Sequence, residues 1–102
     1  MRRATTPTHT FSLPEDVPAD SLGKALLTYS QNGKTILEKN LSNLNIDSEN
    51  NALYYELTQA ETNLFAPGKA LIQLRAKTNS GAVLESQMIW LTIKPALNSE
   101  AM

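Results

Sequence analysis

The 102-residue chain is predicted to fold as one all-β domain, a single antiparallel β-sandwich of Ig-like or jelly-roll-like type with about six or seven strands. One short helix is expected near residues 59–65. Three observations lead there. Apolar residues recur mostly at every second position, the period of a half-buried strand. Turn residues interrupt that rhythm every 10 residues or so, as in sandwiches and barrels. The length suits one core and is too short for two independent ones.

The first strand is read in Thr8–Leu13, where Phe11 and Leu13 share a face before Pro14, which lacks an amide hydrogen, ends the ladder. Residues 1–7 form an N-terminal arm. Glu15 to Gly23 reads as a loop. Lys24 to Ser30 aligns Ala25, Leu27 and Tyr29, and Asn32-Gly33 is the preferred pair for a two-residue hairpin because both positions take positive φ. The third strand, Thr35 to Lys39, then pairs antiparallel with the second. The Asn- and Ser-rich stretch from Asn40 to Asn51 is a loop with a short edge strand around Leu44 to Ile46, and Ala52 to Leu57 alternates again as a strand.

Thr58-Gln59-Ala60-Glu61 is a capping box, in which the threonine hydroxyl and the glutamate carboxylate each satisfy an amide of the first helical turn. The short helix that follows should end near Phe65. After a turn at Pro67-Gly68, Lys69 to Thr78 sets Ala70, Ile72, Leu74 and Ala76 against Gln73, Arg75 and Lys77. Asn79-Ser80-Gly81 turns the chain into a last strand, Ala82 to Ile93. Leu84 and Met88 share one parity there, while Ile89, Leu91 and Ile93 share the other. A β-bulge near Gln87 to Ile89 reconciles them, because one extra residue flips which side chains face the core. Residues 96–102 are expected to be a flexible tail. The expected core is Phe11, Leu13, Leu27, Tyr29, Leu53, Tyr55, Leu57, Leu64, Phe65, Ile72, Leu74, Ile89 and Leu91.

Composition excludes several functional classes. Without cysteine there is no disulfide, thiolate zinc site or catalytic thiol. The net charge of −1 comes from scattered charges that form no basic stripe, so nucleic acid is not an expected partner. The longest apolar run, Met88-Ile89-Trp90-Leu91, is far shorter than a membrane span. Arg2 and Arg3 are followed by polar residues instead of the apolar stretch of a secretory signal, so no export by a signal peptide is expected.

Motifs for catalysis or cofactors are equally thin. His9 is the only histidine, flanked by threonines, and reads as an exposed strand residue. The pairs Glu15 with Asp16 and Asp47 with Glu49 fall in polar loops and read as solvated loop carboxylates, not as an acid–base pair. The stretch beginning at Asp47 has Ala52 and Thr58 where a calcium loop needs glycine and glutamate. Gly68-Lys69 lacks the second glycine of a phosphate loop, since position 63 is Asn. No catalytic residue, cofactor or metal is therefore expected, and the protein is not expected to be an enzyme. Tyr54 and Trp90 carry two readings. Strand parity can turn them outward as binding aromatics, or a second sheet and the loops can cover them. With Ile89 and Leu91 inward, Met88 and Trp90 face outward, and Trp90, Met88 and Tyr54 are the candidate interface.

The opening Met1-Arg2-Arg3-Ala4-Thr5-Thr6-Pro7-Thr8-His9-Thr10-Phe11, Tyr29 with Gln31-Asn32-Gly33-Lys34, Leu57-Thr58-Gln59 with Glu61-Thr62 and Leu64-Phe65, and Gln73-Leu74-Arg75 together resemble small proteins encoded by phages and prophages of Gram-positive bacteria. The resemblance implies a tail- or baseplate-associated accessory in the virion. Its expected partners are other phage tail or baseplate proteins, and a homo-oligomer is possible in that setting. Two alternatives fit the same residues: a free phage protein that binds a host protein in the host cytoplasm, and a cell-wall carbohydrate-binding accessory using Tyr54 or Trp90.

Overall fold

A computed structural model describes residues 1–95, and the expected tail at 96–102 lies outside the described residues. Among the described residues, seven strands form two antiparallel sheets. They are β1 (Thr8–Ser12), β2 (Leu22–Gln31), β3 (Lys34–Asn40), β4 (Asn45–Asp47), β5 (Ala52–Glu56), β6 (Gly68–Thr78) and β7 (Gln87–Ile93). One sheet has the order β1-β5-β4 and the other β3-β2-β6-β7. The chain crosses between sheets three times, after β1, after β3 and after β5, so the two layers interlock.

The hairpin and the long central pair follow the sequence pattern closely. Asn32 and Gly33 both hold positive φ, 52° and 78°, as a turn matched to the strand twist demands. In the β2–β6 ladder Ala25, Leu27 and Tyr29 stand opposite Ala76, Leu74 and Ile72, and all six are buried. From the facing sheet come Phe11 and Leu53, with Leu57 from the residue after β5 and Phe65 from the segment after the helix. Tyr29 and Phe65 meet edge to face at 5.8 Å between ring centroids, a favoured aromatic geometry.

Polar side chains order the connections. Asn51, at φ 51°, accepts from the Ala19 amide and donates to the carbonyls of Pro14 and Val17, which clamps the loop before β2 onto β5. Buried Gln31 both donates to and accepts from the Ala66 backbone at 2.8 Å, imitating a strand pair. The helix α1 (Gln59–Thr62) carries the expected capping box with both bonds formed. It is shorter than expected, because the chain passes from Asn63 to Phe65 through tight turn bonds. Gln59 and Thr62 in turn donate to the carbonyls of Ala4 and Thr5, docking the N-terminal arm.

Several expectations need correction. Leu64 is 58% exposed and Ile89 40% exposed, so neither belongs to the core, while Tyr55 and Leu91 are only half-buried. The loop leucine turns outward because the helix stops early. Ile89 does face inward, but the facing layer covers β7 unevenly: Ile93 is buried, Leu91 half-buried and Ile89 left partly bare. The last strand is shorter than Ala82 to Ile93: only Val83 bridges to Lys77 before β7 starts at Gln87. The inferred phase change is real but lies earlier. Leu84 donates to Ala76, whereas Gln87 stands opposite Leu74, so one extra residue is accommodated between Leu84 and Gln87. His9 is half-buried, not exposed, and shares a hydrogen bond with the Tyr29 hydroxyl at 2.7 Å. Its neighbours on β1 are exposed threonines, and strand alternation turns the imidazole inward between them.

Candidate functional site

β7 is an edge strand, paired to β6 on one side, and its sequence Gln-Met-Ile-Trp-Leu-Thr-Ile contains no charge and no proline. Natural edges usually carry such residues because bare backbone groups recruit other strands. On the outer face Met88 stands opposite Gln73 and Trp90 opposite Leu71, and no element packs over them among the described residues. Met88 is 62% and Trp90 69% exposed.

The backbone on the open side can be assigned from the arm. Lys94 donates its amide to Met1 O and accepts from the Arg3 amide, and the Thr92 carbonyl accepts from the Met1 nitrogen. Residues 92 and 94 therefore aim their backbone groups away from β6. Alternation along the strand places the N–H and C=O of Met88 and Trp90 on the same open side, where no described backbone group meets them. The arm covers one end of the edge. At the other end the Gln87 side chain donates to the Ser12 carbonyl of β1, tying the edges of the two sheets together.

Tyr54 does not join this surface. It is half-buried on β5, the middle strand of the other sheet, between Thr10 and Asn45. The structure thus brings Met88 and Trp90 together and separates Tyr54 from them. Ile89 is the residue the sequence missed, having been assigned to the core by parity alone.

A second cluster is polar. The Tyr55 hydroxyl donates to the Glu61 carboxylate at 2.8 Å, the Thr58 amide donates to it at 2.9 Å, and Lys39 pairs with it at 2.9 Å. Burial opposes the charge on Glu61, but these three donors outweigh it and hold the carboxyl below its usual range. Lys39 is raised chiefly by its bond to Glu61, and Tyr55 is raised first by burial and then by Glu61. Burial also lifts Tyr29 and lowers His9. Each member of the Glu61 cluster has a partner, and together they pin α1 to β3 and β5, a structural task.

The remaining cavities offer little chemistry. A groove of about 280 Å³ between β1 and the bulge before β7 has Glu85 as its only titratable lining residue. Among the described residues no group of three His, Cys, Asp or Glu side chains is placed to hold a metal ion. No described helix is long and apolar enough to cross a membrane.

No family model and no curated protein matches the chain. Among solved structures it is similar to CopC from Methylosinus trichosporium OB3b, with 14% identity and a TM-score of 0.50 over 74% of this chain and 67% of that one. At that identity the likeness supports the β-sandwich and says nothing of activity. The expected phage tail or baseplate role is corrected accordingly. A solved structure that shares the fold is CopC, not a tail protein, and neither the virion, the host-factor nor the cell-wall carbohydrate reading has support from any of the comparisons.

Proposed function

We propose that this domain is a non-catalytic recognition module that takes an extended polypeptide onto the free edge of β7, adding a strand to the four-stranded sheet. One observation carries the reading: an uncharged edge strand with the backbone groups of Met88 and Trp90 open and three large apolar side chains exposed beside them. Strand addition draws affinity from main-chain hydrogen bonds and specificity from alternate side chains. Met88 and Trp90 supply the outer-face contacts, and Ile89 supplies the inner one. Tryptophan and methionine are enriched in such contacts.

The test is an NMR titration with a panel of extended, uncharged peptides of alternating apolar residues. The expected result is that amide shifts concentrate at Met88 and Trp90 and that their exchange with solvent slows. Shifts confined to another surface, or none with any peptide, would overturn the reading.

A further inference from the structure

We propose that the edge of β7 pairs antiparallel with the same edge of a second copy of this chain, with Ile89 on the two-fold axis. The inference rests on the strand-addition reading and names its occupant. Self-pairing of an isologous edge requires a segment that is complementary to its own reverse. Gln87–Leu91 meets that requirement. Centred on Ile89, it sets Met88 opposite Trp90 of the second copy and Trp90 opposite Met88, so the open N–H and C=O of both residues are satisfied in two hydrogen-bonded pairs. Each outer face then carries a tryptophan beside a methionine, a favourable sulfur–aromatic neighbour. The inward-facing but exposed Ile89 side chains meet across the axis in a non-hydrogen-bonded pair, where opposing side chains approach most closely.

Charge favours the second copy as the occupant. β7 carries no charge to repel its own image, and its exposed flanks are of opposite sign, Glu85 before the strand and Lys94 after it. Antiparallel pairing turns the Glu85 flank of each copy toward the Lys94 flank of the other, outside the paired window. Any other register about this edge leaves either Met88 or Trp90 without a reciprocal pair inside the window bounded by the docked arm and Gln87.

Sedimentation velocity across a concentration series, with the full chain, tests the state. The wild type is expected to pass from monomer to dimer, with protection of the Met88 and Trp90 amides in the dimer. Ile89→Lys and Ile89→Glu each place like charges across the axis and should raise the dissociation constant by about tenfold or more. Mixing the two variants should restore a heterodimer, which misfolded variants could not do. A wild type that stays monomeric at all concentrations overturns the inference, as does a dimer whose association Ile89→Lys leaves unchanged. Peptide binding at β7 by a strictly monomeric protein would overturn the self-pairing alone and leave the strand-addition reading standing; failure of both experiments removes both.

Discussion

Single side chains divide sharply between those that hold the sandwich and those that decorate it. Leu74 is 2% exposed, facing Leu27 across the central ladder. Leu74→Ala should cost about 2 to 5 kcal/mol in urea unfolding, the sum of lost transfer energy and a residual cavity. Trp90→Ala, at a site 69% exposed, should change stability by no more than about 0.5 kcal/mol, as surface substitutions do, and keep a cooperative transition. His9 adds a pH dependence. Burial lowers its pKa in the fold below the ordinary 6.5, so as the pH falls the unfolded chain takes up a proton before the folded one. Its contribution is fully present above pH 6.5 and is lost progressively as the pH falls from there toward the lowered folded value. Since His9 is the only histidine, urea midpoints should decline from about pH 7 to 5 in the wild type and stay nearly flat over that window in His9→Gln.

Among the elements, α1 shows how much a four-residue helix depends on its ends. The Thr58 hydroxyl accepts from the Glu61 amide at 3.1 Å, and the Glu61 carboxylate reaches back to the Thr58 amide. Thr58→Ala should destabilise the protein by about 0.5 to 2 kcal/mol, measured by urea denaturation. Glu61 also binds Tyr55 and Lys39, so Glu61→Ala should exceed that loss. The capping box was legible in four consecutive letters, because capping is a local matter. The Tyr55 and Lys39 bonds were not, since they depend on which strands the helix lands beside.

For the molecule as a whole, the ladders join distant segments: β1 pairs with β5, and β2 with β6. Loop closure must precede most of the stabilising contacts, which slows folding. Refolding in stopped-flow experiments is expected on a timescale of about milliseconds to seconds. Because one core spans both sheets, near-UV dichroism and far-UV dichroism should trace the same unfolding curve. An early near-UV transition would show that the two sheets separate before they unfold.

What the sequence determined by itself was everything set by local periodicity and turn chemistry. That includes the all-β class, the Asn32-Gly33 hairpin, the capped helix, the inward face of β6, and the need for an extra residue before Ile89. Parity tells which side of a strand is apolar. It does not tell where in a sheet the strand lies or how wide the opposite sheet is, and for that reason Ile89 is more exposed, and His9 more buried, than parity implies. The tertiary structure decided that β7 is an edge and that a three-stranded layer leaves its inner face partly bare. It also decided that His9 turns toward Tyr29. Those are outcomes of long-range pairing, in which residues far apart in the chain compete for the same interior, and no stretch of neighbouring residues encodes the winner.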